Sequence, residues 1–301
     1  MQKDPLSYEM LLEKTKETGL TFSSALAGAV LEEVVGRIGA SEYSNNLWIR
    51  NGDILGIEQY KKKLRLNLEY DYVIQKLKKS DAEKTDDVLI SELAEYLKAD
   101  VFEESEEHGV IFQAQMKKYK RYMQMDLIGN VGDMQVPISI KIYLLRDEKL
   151  IPKKEKFSCM MYPDVSVNCY SYPADSLLAE RFMEVITRLE LIQNIGAYYD
   201  IYYLLERESV DGRKVKDYIE EQCIQMGIAK EKTRLDMVVG YRKYTYMKKK
   251  WKVYLRSIHC TEPDWETVIE RFSKFFEPIW KAVMDDLIFF GDWMPELNRF
   301  L

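Results

Sequence analysis

Apolar residues recur at helical spacing over residues 7–17 and 21–38. In the second segment Phe22, Leu26, Val30, Val34 and Ile38 fall every fourth residue, which predicts a helix with one buried face. Ser41 and Asn45-Asn46 interrupt that period. Leu47-Trp48-Ile49-Arg50 then reads as a short strand, and Asn51-Gly52-Asp53 as a turn opening another helix through Tyr60. From Leu64 to Ile74 the period drops to two. Leu64, Leu66, Leu68, Tyr70 and Tyr72 alternate with Arg65, Asn67, Glu69, Asp71 and Val73, the pattern of a strand with one apolar and one polar face. Arg65, Asn67, Glu69 and Asp71 therefore share a side. Four aligned polar groups are more than solubility requires, so this strand carries the first functional signal.

A charged segment from Lys78 to Asp87 leads into a helix at about 88–98. Three strands follow, Val110–Gln115, Tyr119–Ile128 and Gln135–Leu145, with turn residues Gly129 to Asp133 between the second and third and Pro137 at the entry of the last. Val165–Tyr170 is a further strand. From Ala174 the period is helical over 175–193, 197–207, 213–226, 231–257 and 264–290. Neither a Pro/Gly/Ser-rich linker nor an internal repeat breaks the chain. The expected class is α+β: a mixed sheet in residues 1–172 and a helical domain, packed on it, in residues 173–301.

Composition narrows the function classes. The 301 residues are 47% hydrophobic and 31% charged, an ordinary globular profile. No run of about 18 apolar residues is present, which argues against a membrane-spanning helix. Met1 to Pro5 lacks the apolar centre of a signal peptide, so a cytoplasmic location is expected. Cys159, Cys169, Cys223 and Cys260 are scattered, and the only imidazoles are His108 and His259, too few clustered ligands for a structural zinc site. A Cys–His pair meeting in space stays open, beside the blander reading of free buried thiols. A net charge of −6 excludes a globally basic nucleic-acid coat. Local basic runs nevertheless stand out at Lys61 to Arg65, Lys117 to Arg121 and Lys248 to Lys252, each mixing cations with aromatic or apolar residues. Each reads as a solvated face, or jointly as a phosphate-binding stripe if folding gathers them.

Several segments, in order, resemble the AbiEii/AbiGii family of nucleotidyltransferase-fold proteins, from about residue 5 to the C-terminus. Leu47 to Leu55 is similar to a strand-turn-helix that ends in Lys-Gly-Gly in the family; here Arg50 replaces the lysine, Asn51 the first glycine, and Gly52 remains. Arg65-x-Asn67-x-Glu69-Tyr70-Asp71 resembles Arg-x-Thr-x-Asp-Ile-Asp, whose two carboxylates project from one strand face and can grip Mg²⁺. Val136 to Ile142 looks like the strand carrying the family's third carboxylate, with Lys141 in its place, or Ser139 if the alignment slips by two. An ammonium there would pair with Glu69 or Asp71 instead of ligating a metal. Tyr172 to Phe182 resembles an Ala-Glu-Lys helix with Arg181 for the lysine. Asn194 to Tyr202 keeps Tyr199 and Asp200 but has Asn194, Gly196 and Ala197 where the family has Arg, Lys and Asp. Segments around Trp251 and Phe272 to Trp280 are similar to its last helices.

The resemblance implies a nucleotidyltransferase-like sheet with a helical C-terminal half. It also implies a toxin of a toxin–antitoxin or abortive-infection system that moves a nucleotidyl group from an NTP to RNA or protein, with an antitoxin as protein partner. In an active chain Glu69 and Asp71 would hold Mg²⁺, Arg65 would contact phosphate beside Arg50, Gly52 would lie under the triphosphate, and Arg181 would face the nucleotide. The replacements point to weakened activity. The alternative is an inactive relative that uses the cleft to bind a nucleotide, nucleic acid or protein. A third reading makes the helical half a protein-interaction surface. Without a ligand role, Arg65, Glu69, Asp71 and Lys141 would form a balanced charge network across two strands. Asp200 then anchors a helix pair, and Tyr198, Tyr199, Tyr202 and Tyr203 are core.

Overall fold

The computed structural model describes residues 5–50, 55–61, 66–74, 84–104, 107–120, 122–145, 150–163, 165–258 and 260–301. The chain is α+β and divides into two compact units, Met1–Tyr172 and Pro173–Leu301.

In the first unit, α1 (Tyr8–Thr18) starts where the Ser7 hydroxyl accepts from the Met10 N–H at 3.2 Å, and it stops at Gly19, whose φ of 73° a β-carbon would oppose. The helix α2 (Phe22–Ala40) is capped by Thr21 and buries residues around most of its circumference. It lies against one face of a seven-stranded sheet made of β1 (Leu47–Ile49), β2 (Asn67–Val73), β3 (Ile111–Lys118), β4 (Tyr122–Val131), β5 (Met134–Leu145), β6 (Lys153–Ser158) and β7 (Ser166–Ser171). The strand order is β3-β4-β5-β2-β1-β7-β6. The sheet is mixed: β2 runs parallel to β5, β1 runs parallel to β7, and the other neighbours are antiparallel. Two glycines set how closely α2 approaches. A β-carbon on Gly129 of β4 would come within 2.5 Å of Val30, and one on Gly39 would come within 2.5 Å of the carbonyl oxygen of Asn168 in β7. The short α3 (Ile57–Lys61) also packs on α2. The helix α4 (Asp86–Tyr96) runs on into a π-helical stretch, Leu97–Glu103.

Strand alternation decides the two sheet faces. Leu68 and Tyr70 on β2, Met123, Met125 and Leu127 on β4, and Val136, Ile138, Ile140 and Ile142 on β5 are buried with α2 in one apolar core. The intervening residues carry the polar groups.

The second unit contains α5 (Ala174–Arg188), α6 (Gly196–Arg207), α7 (Gly212–Met226), α8 (Lys232–Gly240), α9 (Thr245–Ser257) and α10 (Trp265–Met284). Its core is aromatic, with Phe182 and Phe276 stacked at 4.3 Å and Tyr198 against Trp265 at 4.9 Å. Each indole N–H in it donates to a carbonyl: Trp251 to Pro263 at 2.8 Å, Trp265 to Tyr241 at 2.9 Å, Trp280 to Glu231 at 3.0 Å, and Trp293 to Leu205 at 2.8 Å.

The structure departs from the sequence reading at several places, one being the helix expected over 175–193, which ends at Arg188 and gives way to a 3₁₀ turn at Leu189–Leu191. Lys153–Ser158 is an edge strand, hidden in the sequence because lysines alternate with Glu155 and Phe157 where an apolar face is expected. The expected helix 231–257 is two helices separated by a 3₁₀ turn at Tyr241–Lys243. The helix expected over 264–290 ends at Met284. The helical half also holds a small antiparallel sheet of β8 (Val210–Asp211), β9 (Asp292–Met294) and β10 (Arg299–Phe300), whose strands are too short to register as a period. Among the described residues no single helix is long and apolar enough to cross a membrane.

One carboxylate is buried inside the first core. Glu32 of α2, 5% exposed, accepts from the Tyr60 hydroxyl at 2.9 Å and from the Met160 N–H at 2.8 Å, tying α2 to α3 and to the chain between β6 and β7. Burial pushes its pKa up to about 7, against the pull of those two hydrogen bonds. The folded state therefore holds this proton more tightly than the unfolded chain. The associated stability is present below about pH 4.5 and is lost as pH rises through 7, an effect on the order of 3 kcal/mol. Glu32→Gln, whose amide oxygen can accept from the Met160 N–H while its NH₂ donates to the Tyr60 oxygen, should be more stable relative to wild type at pH 8 than at pH 5. Urea unfolding at the two pH values measures this, and an identical difference at both would contradict the assignment.

Candidate functional site

The polar side of β2 lies in the middle of the sheet, between β5 and β1. Register places Asn67 opposite Ser139, Glu69 opposite Lys141 and Asp71 opposite Tyr143 on one side, and Asp71 opposite Trp48 on the other. Residues directly opposite share a face. Continuing outward, Lys141 faces Gln124, Tyr143 faces Tyr122, and Ser139 faces Asp126 on β4.

Asp71 is the electrostatic centre. It is 1% exposed, and its carboxylate is ion-paired to Arg50 Nε. Arg50 follows β1, and its backbone N–H donates to the Glu69 carbonyl at 2.8 Å, so the β1–β2 ladder holds its Cα beside the acidic pair. Its guanidinium lies over the ring of Tyr172 at 4.4 Å and that of Tyr143 at 5.8 Å. A planar cation with an aromatic face against it and a carboxylate at its edge suits arginine better than lysine. Glu69 has a looser cation: Lys141 Nζ stands 3.8 Å from its Oε1, with the two side chains 33% and 25% exposed. The same ammonium sits 5.8 Å from the Tyr122 ring.

A third carboxylate on this side, Asp126, escaped the sequence reading because it lies on an expected strand outside any motif. Lys117 Nζ at 2.6 Å, Gln124 Nε2 at 2.7 Å and Ser139 Oγ at 3.1 Å all donate to it. Partial burial pushes its pKa up, but these bonds outweigh it and hold the group below the usual carboxylate range. Alternation along Tyr122 to Ile128 was the available signal.

Magnesium needs near-octahedral oxygen ligation, supplied from protein by carboxylates free to turn to it. Here Asp71 is committed to Arg50, Glu69 faces Lys141, and Asp126 is held by Lys117, Gln124 and Ser139. Among the described residues no three His, Cys, Asp or Glu side chains gather as a metal ligand set. Each of these carboxylates is thus engaged by a protein cation or donor. Gly52 and Arg65 lie outside the described residues.

Arg181 belongs to the second unit. Its Nε is 3.0 Å from Asp200 Oδ2, and its terminal nitrogen is 3.6 Å from Glu184 Oε2, so it links α5 to α6. At the start of α6, a β-carbon on Gly196 would lie 2.9 Å from both Asn194 Oδ1 and the Tyr254 hydroxyl, and Ala197 is fully buried. Both positions are filled by packing. Tyr198, Tyr199, Tyr202 and Tyr203 are all core residues.

Cys159 and His108 line a cavity of about 330 Å³ beside α2, where His108 Nδ1 is 2.7 Å from Glu33 Oε2 and Arg37 Nε is 2.6 Å from Glu33 Oε1. Two of the other thiols are protected: burial pushes Cys169 up to about 12 and Cys223 upward.

The Arg50–Asp71 and Lys141–Glu69 pairs differ in burial and should differ in energy. Arg50→Ala removes an ion-pair partner from a carboxylate that is 1% exposed and should cost about 3–5 kcal/mol, whereas Lys141→Ala should cost less than about 1 kcal/mol. Joint replacement, Arg50→Leu with Asp71→Leu, should recover most of the larger loss. Denaturant unfolding reads all three; equal costs for the two alanine variants would mean that burial does not set the hierarchy.

Neither a family model nor a curated protein matches this chain. Among solved structures, the chain is similar at 9% identity to the crystal structure of JHP933 from Helicobacter pylori, covering 89% of this chain and 96% of that one, with a TM-score of 0.42. It is also similar at 9% identity to a crystal structure described as "putative nucleotidyltransferase from H. pylori", covering 94% and 97%, with a TM-score of 0.39. Likeness at that level carries no weight for chemistry, which rests on the site itself.

Proposed function

We propose that this chain is a nucleotidyltransferase-like protein whose sheet-face site has exchanged metal binding for internal charge pairing, and that it works by binding a nucleotide, nucleic acid or protein rather than by nucleotidyl transfer. The observation carrying this reading is the buried Arg50–Asp71 pair. Asp71 is the carboxylate that would hold the metal in an active member of the resembled family, and here an arginine with an aromatic ring against it neutralises it. Opening that pair for a divalent ion would require extracting a guanidinium from between its partners, leaving two desolvated charges to be matched again. In-line phosphoryl transfer depends on metal and fixed cations to stabilise charge on the transferring group. With Asp71 committed and Lys141 on Glu69, that stabilisation has no metal-ligand set among the described residues of this face.

A second reading keeps a weakened enzyme of the toxin type, transferring a nucleotidyl group from an NTP to RNA or protein with Mg²⁺ and restrained by an antitoxin. It is favoured by the looseness of the Lys141–Glu69 pair, in which neither side chain is buried. A ligand competing for Glu69 would meet a half-exposed Lys141 ammonium rather than a buried guanidinium.

Calorimetry with Mg²⁺ and each nucleoside triphosphate separates the two. The binding reading predicts that any nucleotide affinity is unchanged by chelating Mg²⁺ and that Asp71→Ala weakens it no further than Arg50→Ala does. Incubation with labelled nucleoside triphosphate and total RNA should leave RNA and protein unlabelled. Mg²⁺-dependent labelling that disappears in Asp71→Ala would establish the enzyme instead.

A further inference from the structure

The most uneven distribution of charge lies in the second unit. Between Met237 and Thr261 there is no Asp or Glu, while Arg242, Lys243, Lys248, Lys249, Lys250, Lys252 and Arg256 supply seven cations, in a chain whose net charge is −6. The structure sorts these cations by role. Arg242 pairs with Glu270 at 2.9 Å and Lys248 with Glu266 at 2.5 Å, both partners on α10, and the Lys250 ammonium donates to the Ile192 carbonyl. Lys243, Lys249, Lys252 and Arg256 are exposed and meet no acidic partner among the described residues.

Helical geometry turns three of them into a ridge. Positions 249, 252 and 256 are spaced by three and four residues, so they fall on one stripe of α9, separated by roughly 4.5 Å and 6 Å along its axis. The opposite stripe, Met247, Trp251 and Leu255, is at most 4% exposed and anchored by the Trp251 indole bond to Pro263. At the head of the ridge Tyr244 and Tyr246 are 45% and 51% exposed, with ring centroids 6.0 Å apart.

We infer that this face of α9 binds single-stranded nucleic acid, the cations along Lys249, Lys252 and Arg256 holding successive phosphates and the two tyrosines offering surfaces on which bases stack. Unpaired cations release counterions when they meet a phosphate backbone, and aromatic faces stack bases without regard to sequence. An anionic membrane would also attract the ridge. Amphipathic insertion, however, needs the apolar stripe, and that stripe is consumed by the core of the unit. The surface is independent of whether the sheet face turns over a nucleotide.

The test is fluorescence anisotropy of the full chain with a labelled 20-nucleotide oligouridine, at several KCl concentrations from 50 mM upward. The expected result is saturable binding that weakens steeply with salt. The triple variant Lys249→Gln, Lys252→Gln, Arg256→Gln should lose on the order of tenfold in affinity at 50 mM KCl, with its log–log salt slope about 2 units shallower. Tyr244→Ala with Tyr246→Ala should also weaken binding, by about tenfold, with the slope unchanged. A control triple that removes the same charge from exposed lysines elsewhere in the unit, Lys214→Gln, Lys232→Gln and Lys281→Gln, should bind like wild type. All these side chains are exposed, so thermal unfolding should match wild type throughout. No binding by wild type at 50 mM KCl, equal losses in the two triples, or binding to phosphatidylserine vesicles without binding to the oligonucleotide would each overturn the inference.

Discussion

A buried carboxylate cannot stay ionised in a protein interior without a cation or a set of donors to replace the water it has lost. Asp71 meets that condition with Arg50, and much of the first unit is arranged to keep the two together. The β1–β2 ladder holds the arginine backbone, the β2–β5 ladder brings Tyr143 beneath its guanidinium, and Tyr172, whose N–H donates to the Ile49 carbonyl at 3.0 Å, covers it from the end of β7. Four elements therefore converge on one charge pair. The stability of that face therefore depends on one buried charge pair.

The two faces of the sheet obey different rules. The face toward α2 is fixed by close packing, with Gly129 and Gly39 removing the side chains that would hold the helix away. The polar face is fixed by pairing, so a charge on it persists when its partner persists. A site of this kind can lose one function by single replacements and still retain every strand, because the apolar alternation that builds the sheet lies on the other side.

Much of the fold was legible. Helical period in 21–38 and two-residue alternation in β2, β4 and β5 identified the elements that bury the first core, and the class followed from their order. Edges and junctions were not legible. A lysine-bearing edge strand has no apolar face to reveal it, two-residue strands carry no period, and the break at Tyr241 to Tyr244 lacks proline. In the site, shared direction along β2 marked Glu69 and Asp71, and the strand opposite marked Lys141. The preference of Arg50 for Asp71 could not be read, because it depends on register between strands about twenty residues apart. Asp126 stayed hidden for the same reason: its neighbours come from three strands.

The four indole N–H groups of the second unit carry a consequence for how its helices can slide. An aromatic core held by contact area alone tolerates displacement, since one greasy surface substitutes for another. Here Trp251, Trp265, Trp280 and Trp293 each reach a single carbonyl, so moving one helix by a turn, about 5.4 Å, would strand a donor in an apolar interior. Directional bonds thus act as detents: they add modestly to cohesion and strongly to uniqueness, selecting one alignment of the bundle from many that would bury the same rings.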